Sequence, residues 1–238
     1  MDISRDTLDI INNFIKTRVK DANSDGVVLG LSGGIDSAVT LSLSVAALGS
    51  DRVTGLIMPY EHTESVNLAK HHAEQLNVNT ETVSIKQIVE SFKSSSSLFA
   101  EKLSEGNLHS RIRMSILYGA GFSSNRLVVG TSNKSELLIG YWTKWGDGGT
   151  DFLPIGDLYK SQVYSLGEEL GVPSGILSRK PTAELWEGQT DEEEFGFTYL
   201  ELDQVLFNLE RFYSVSQISE KTGISLEIIA KIKKLIQC

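Results

Sequence analysis

The chemically richest residues sit together near the start of the chain, in Ser32-Gly33-Gly34-Ile35-Asp36-Ser37. Val27-Val28-Leu29-Gly30-Leu31 precedes them as an apolar run typical of a buried strand, and Ser37 to Leu48 reads as a helix that stops at Gly49. Strand, glycine turn and helix in that order gather backbone N–H groups and a helix N-terminus in one place, and both attract an anion. Gly33 and Gly34 let the backbone come close to a phosphate, and the Ser32 and Ser37 hydroxyls add donors. Asp36 alone would repel phosphate, but a bound Mg²⁺ bridging carboxylate and phosphate oxygens removes that conflict. The plainer alternative is a glycine turn whose Asp caps the helix. The complete Ser-Gly-Gly-x-Asp-Ser string after a strand favours the phosphate reading. The chain has no Gly-Lys-Ser or Gly-Lys-Thr, and no Gly-x-Gly-x-x-Gly follows a strand, so a Walker-type loop and a Rossmann dehydrogenase are both disfavoured.

The elements that must hold this loop alternate between helix and strand. Residues 3–19 read as an amphipathic helix, with Ile3, Leu8, Ile11, Phe14, Ile15 and Val19 near one face. Arg52 to Met58 reads as a second strand, 63–76 as a helix, 78–84 as a strand and 85–92 as a helix. The Ser94–Ser97 run reads as a loop or a helix end. Residues 107–119 read as helix, Arg126 to Thr131 as a buried strand, and Asn133 to Ile139 as the start of another helix. The Gly-rich stretch from Tyr141 to Gly156 is long for a connection in a compact domain, and such loops are often functional. A helix from Lys160 to Leu170 and a second long loop over 178–194 follow. From about Tyr199 the chain reads as short helices, and 214–223 with 225–236 resembles a helix-turn-helix pair. No basic recognition face accompanies that pair, so a packing unit is favoured over a DNA reader. The alternation predicts a layered α/β fold with a parallel sheet. The domain expected is a single one over 1–238: an N-terminal helix over 1–20, a nucleotide-binding core over 25–195 and C-terminal helices over 196–238.

Composition narrows the function. The chain has 238 residues, 40% of them hydrophobic, enough to build a core without disulfide or metal staples. Its one Cys is Cys238, so neither an internal disulfide nor a Cys/His zinc cluster is available. His71 and His72 are neighbours, pointing about 100° apart on a helix, and read as surface histidines rather than ligands. A formal charge of −9 argues against nonspecific nucleic-acid binding. No signal-peptide pattern and no membrane-length apolar run is present, so a cytoplasmic protein without a membrane partner is expected.

The 32–37 loop resembles the pyrophosphate loop of the ATP pyrophosphatases, which attack ATP at the α-phosphate, adenylate an oxygen and release pyrophosphate. Further motifs resemble the NAD synthetases in order and spacing: Gly130-Thr131-Ser132-Asn133-Lys134-Ser135-Glu136, Gly140 through Asp151, Pro154 through Lys160, and Lys180 through Trp186 running into Gly188-Gln189-Thr190-Asp191-Glu192. The resemblance covers nearly the whole chain. It implies a doubly wound parallel sheet with flanking helices, of the adenine nucleotide alpha hydrolase-like kind, followed by C-terminal helices. It also implies that ATP is held by Gly30, Leu31, Ser32, Gly33, Gly34, Ile35, Asp36 and Ser37 with Thr131, Lys160 and Thr182. Mg²⁺ would bind Asp36 and Glu136, and deamido-NAD would contact Arg111, Lys144 and Asp151. No residue is assigned as nucleophile or base. The partners implied are ATP, deamido-NAD, ammonia and a second copy of the chain.

Each implied role has a plainer rival. Glu136 could be a solvated acid and Lys160 an ordinary helix-start lysine. Arg111 and Arg113 face different ways on a helix, so one of them is expected to reach the site. Tyr141, Trp142 and Trp145 could stack on a ligand ring or pack the loop down. No glutaminase segment stands before Val27, so free ammonia, or ammonia from a separate glutaminase, is expected. NAD synthetases usually continue into a basic tail with a His-Lys pair, whereas this sequence runs to Cys238 after Lys233-Lys234 without it.

Overall fold

The computed structural model describes residues 6–182 and 190–236. Strands β1 (Gly26–Gly30), β2 (Val53–Ile57), β3 (Asn79–Thr82) and β4 (Arg126–Val129) form one sheet in the order β3-β2-β1-β4. Every pairing is parallel, with Val28 opposite Thr54 on one side and Val128 on the other. The chain winds from β1 outward to β2 and β3, then returns to place β4 on the other flank. Strand order therefore reverses between β1 and β4, and open parallel sheets bind ligands in the crevice beyond such a reversal.

β1 reads Gly-Val-Val-Leu-Gly, apolar on both faces, because both faces are covered. Val27 and Leu29 share a core with Ile15 of α1 (Thr7–Asp21), Val39 and Leu43 of α2 (Ile35–Leu48) and Leu166 of α7 (Lys160–Glu169). Val28 points the other way, into a core with Leu56, Val128, Val89 of α4 (Lys86–Ser95) and Ile112 of α5 (Lys102–Ser123). This two-residue alternation makes the sheet doubly wound, as expected. β3, Asn-Thr-Glu-Thr, is exposed throughout and gives the sheet a polar edge that discourages further pairing.

Several boundaries differ from expectation. Ser50–Arg52 forms a 3₁₀ turn ahead of β2. α4 runs through Ser95, and a 3₁₀ turn takes Ser97–Phe99. α5 (Lys102–Ser123) extends past both ends of the expected 107–119; the pattern stops short there because Leu103 and Phe122 are apolar yet solvent-exposed. The supposed loop over 178–194 contains a helix, α9 (Asp191–Phe195), whose four leading acids suit a helix N-terminus. The surface reading holds for His71 and fails for His72 on α3 (Glu64–Gln75), which is buried against α2. Its Nε2 lies 3.1 Å from Ser42 Oγ and 3.2 Å from the Ala38 carbonyl, and burial pushes its pKa down.

α8 (Ser174–Leu177) follows α7, and the chain then reaches the C-terminal helices. α10 (Tyr199–Leu209), α11 (Val215–Thr222) and α12 (Leu226–Ile236) surround a separate core containing Leu202, Leu206, Ile218, Ile229 and Ile232. α11 and α12 turn their apolar faces inward, as a packing unit does. α6 (Lys134–Ile139) lies against both α10 and α12 and joins this layer to the sheet. No helix among the described residues is long and apolar enough to cross a membrane.

Candidate active site

The loop after β1 is shaped by one backbone requirement. Gly33 has φ +79°, and a Cβ there would stand 2.2 Å from the Ser65 carbonyl oxygen, so no side chain fits. Ser32 and Ser37 close the turn. Ser32 N–H donates to Ser37 Oγ at 3.3 Å, Ser37 Oγ donates to the Gly34 carbonyl at 3.0 Å, and Gly34 N–H donates to Ser32 Oγ at 3.2 Å. Arg179 donates to the Gly33 carbonyl at 3.1 Å from the far side. Gly34 is the N-cap of α2 and uses no side-chain cap, so Asp36 is not the helix cap of the plainer reading.

Asp36 instead faces the segment after β4. Its Oδ1 accepts from Asn133 Nδ2 at 2.9 Å and its Oδ2 from Lys160 Nζ at 2.5 Å. Lys160 also donates to Glu136 Oε1 at 3.1 Å. Asn133 and Glu136 form the capping box of α6: Asn133 Oδ1 accepts from Glu136 N–H, while Glu136 Oε2 accepts from Asn133 N–H. That box locks the Glu136 side chain, leaving Oε1 for the lysine. Lys160 opens α7 and its side chain is only 3% exposed, which rules out an ordinary surface lysine. Thr131 is half-buried two residues past β4, on the same side of the sheet.

Tyr199, Asp191, Tyr141 and Glu194 complete this corner. The Lys160 ammonium lies 4.9 Å from the centre of the Tyr199 ring, and Tyr199 Oη donates to Asp191 Oδ2 at 3.0 Å. Tyr141 Oη reaches Asp191 Oδ1 at 3.2 Å and Glu194 Oε2 at 2.7 Å. Three acids thus surround one buried ammonium. Burial opposes the charge of Lys160, but Asp36 and Glu136 outweigh it and raise its pKa above the ordinary value. Burial raises Glu136 to about 7; Lys160 pulls it down and Asp36 pushes it up. The two partners therefore differ: the lysine gains from the cluster while Glu136 is strained as an anion. The geometry agrees, since Asp36 takes the shorter bond. Burial also raises Asp191.

The residues expected to touch the dinucleotide lie along α5 and the 141–156 loop. Arg111 Nε donates to the Lys144 carbonyl at 3.2 Å, while Arg113 Nε turns to the Met58 carbonyl at the end of β2. Asp151 is engaged structurally as well: it accepts from Val128 N–H at 2.7 Å and from Tyr118 Oη at 3.2 Å. Tyr118, Met114, Trp145 and Thr150 line an open cavity of about 550 Å³ beside these groups. Tyr141 packs edge-on against Phe195, and the Trp142 ring fills the space beside Gly148, so both hold the loop down. Trp145 is 74% exposed and stays available to a ligand. Thr182 is the last residue described before 190. The expected motif residues from 183 to 189 lie outside the described residues.

Asn133, Asp191, Tyr199 and Asp203 escaped assignment from the sequence. The Asn133-x-x-Glu136 spacing was a readable capping box. Asp191 and Tyr199 pair with each other eight positions apart, but Tyr141 and the Lys160 ammonium that they meet, like the partners of Asp203, lie far away in the chain.

The chain matches the family model described as NAD synthase over residues 7–238. It is 44% identical to the NH(3)-dependent NAD(+) synthetase of Thermococcus kodakarensis, covering 98% of this chain and 92% of that protein. It is 46% identical to the protein of the same name from Archaeoglobus fulgidus, covering 95% and 96%. Among solved structures it resembles an NH3-dependent NAD synthetase from Campylobacter jejuni, with TM-score 0.83, 34% identity and coverage of 99% and 94%. An NMN synthetase from Francisella tularensis superposes with TM-score 0.87 at 36% identity, again covering 99% and 94%.

Proposed function

The chain belongs to the NAD synthase family, and from that premise we propose that it uses ATP to amidate deamido-NAD with ammonia, releasing AMP and pyrophosphate. The observation that carries this is the meeting, at the β1/β4 reversal, of an anion-binding turn with the Asp36–Lys160–Glu136 corner. A carboxylate does not acylate ammonia without activation. The nicotinate carboxylate oxygen attacks the α-phosphorus, forming a P–O bond as the bond to pyrophosphate breaks. Ammonia then attacks the acyl carbon, AMP leaves with the electron pair, and one proton is lost from nitrogen.

The chain's part is to bind and orient. The 32–37 turn and the N-terminus of α2 hold the phosphates, with Thr131 and Thr182 flanking them. Lys160 offers a compact positive charge for the phosphate tail. Asp36 and Glu136 would hold Mg²⁺. The fit rests on their chemistry: two hard carboxylate oxygens already converge on one cation, and Mg²⁺ takes one or two carboxylates, leaving its other positions to phosphates and water. When bound, the ion neutralises phosphate charge. Arg111, Lys144 and Asp151 flank the open cavity and orient the dinucleotide. Exposed apolar side chains on α1 (Ile10, Phe14) and α5 (Leu103, Phe122) support a homodimer. Asp36→Asn is expected to lower the rate of NAD formation by at least about 100-fold; a near wild-type rate would remove the metal role. Because one structural relative is an NMN synthetase, nicotinate mononucleotide belongs in the assay as a competing substrate. Preference for the dinucleotide is expected, and preference for the mononucleotide would overturn that choice of substrate.

A further inference from the structure

Ser135 and Ser161 stand next in sequence to Glu136 and Lys160, and one carboxylate from the C-terminal layer holds both. Asp203 on α10 is fully buried. Its Oδ1 accepts from Ser135 Oγ at 2.5 Å and its Oδ2 from Ser161 N–H at 2.7 Å. Ser135 Oγ in turn accepts from Lys160 N–H at 2.9 Å. The first turns of α6 and α7 are thereby tied to each other and to α10. One helical turn earlier, α10 carries Tyr199, whose ring lies against the Lys160 ammonium.

The acid is out of place on packing grounds. Leu202, Val205 and Leu206 around it are buried and apolar, and an apolar residue would fill the same space without giving up hydration. A buried anion is tolerated here because the N-terminal ends of two helices offer it donors and favourable dipoles. Lys160 feels its charge, but the hydrogen bonds of Asp203 go to the two helix starts and not to the site itself. What it controls is the relative placement of two helix starts, and those starts carry the side chains that face Asp36. A shift of about 1 Å between such groups can cost about 100-fold in rate.

We propose that Asp203 is a positioning residue that sets the spacing of Glu136 and Lys160 by pinning the first turns of α6 and α7 to α10. This rests on the ATP-and-metal reading of the crevice. It extends the working site into the C-terminal helices, where Glu210 at the end of α10 also accepts from Lys134 Nζ at 2.9 Å and from Tyr159 Oη at 2.7 Å, beside the same two helix starts.

The test uses the full chain as wild type, Asp203→Asn and Ser135→Ala. Calorimetry measures binding of ATP with Mg²⁺, of ATP with EDTA, and of deamido-NAD; thermal melting is recorded for each protein. For Asp203→Asn the Kd for ATP with Mg²⁺ is expected to rise about tenfold or more, the range seen when groups orienting metal ligands are lost. For Ser135→Ala a rise of about fivefold is expected, from the loss of its bonds to Asp203 and from Lys160 N–H. Deamido-NAD affinity should stay within about twofold, and the KM for ATP should rise more than the KM for deamido-NAD. A purely structural role would lower the melting temperature and leave this split at unity. Folded variants that bind ATP and Mg²⁺ as tightly as the wild type overturn the proposal. If Asp203→Asn does not fold, Ser135→Ala decides by the same readout. If the wild type itself fails to bind ATP, the functional reading falls first and this role falls with it.

Discussion

The two walls of the crevice are built by opposite means. The wall after β1 is a single stretch whose internal bonds span two to five residues, braced from outside by Arg179, and it depends on the backbone of one glycine. The facing wall joins Asp36 to Asn133 across 97 positions and to Lys160 across 124, and it works through side-chain charge. A local turn keeps its shape wherever strand and helix flank it. A charge cluster assembled from β4, α6, α7 and α10 keeps its shape only if those elements stay in register. Damage to the first wall should therefore be local and steric, and damage to the second should spread through charge and helix placement.

The largest break in that comparison is Lys160→Met. It leaves Asp36 and Glu136, both half-buried, without their cation, at a cost of up to roughly 3–5 kcal/mol in stability. NAD formation should fall by about 100- to 1,000-fold. Chemical denaturation and steady-state kinetics check both, and a stable, active Lys160→Met would show that the corner does not hold the phosphates.

The pH dependence of the second wall is next. Glu136 has its folded pKa raised to about 7, above the unfolded value, so the folded chain binds the extra proton. Stability from this group is complete below about pH 4.5 and is lost as pH rises to about 7, by on the order of 3 kcal/mol. Comparing wild type with Glu136→Gln over that range should show a steeper loss in the wild type, the difference being the share of Glu136. Equal slopes would mean that Glu136 is already ionised throughout.

Gly33→Ala probes the first wall. Its added Cβ meets the Ser65 carbonyl at a left-handed φ, which costs on the order of 1–3 kcal/mol unless the loop moves. Its KM for ATP should rise while its stability slope between pH 4.5 and 7 stays that of the wild type, because no charge has changed. A changed slope would show that the two walls are coupled. The smallest effect is expected from Tyr199→Phe. It removes the hydroxyl that donates to Asp191 and lies 3.5 Å from Glu136 Oε1 but keeps the ring against Lys160, so a loss of about 0.5–1.5 kcal/mol in stability and little change in rate are expected.

The same contrast explains what could be read from residues alone. The 32–37 turn was legible because strand, glycines, acid and helix are contiguous, and its chemistry follows from their order. Glu136 and Lys160 came from the family resemblance. Nothing in their own neighbourhoods showed that both would meet Asp36. Asp203 left a trace, an acid between apolar residues of an amphipathic helix, but its partners lie 42 and 68 positions away. His72 was misread for the same reason, since the Ser42 hydroxyl that accompanies its burial sits 30 positions earlier. The ends of α5 were missed where exposed Leu103 and Phe122 broke the pattern. Sequence pattern reports local order and burial. It does not report which distant polar group will satisfy a buried one.

The decisive measurement is the product set of the wild type incubated with ATP, Mg²⁺, deamido-NAD and ammonium, separated by ion-exchange chromatography. Equal amounts of NAD, AMP and pyrophosphate are expected if, as proposed, the phosphate turn and Lys160 grip the tail that must leave. Formation of ADP and orthophosphate instead would place the attack at the γ-phosphate and contradict that arrangement.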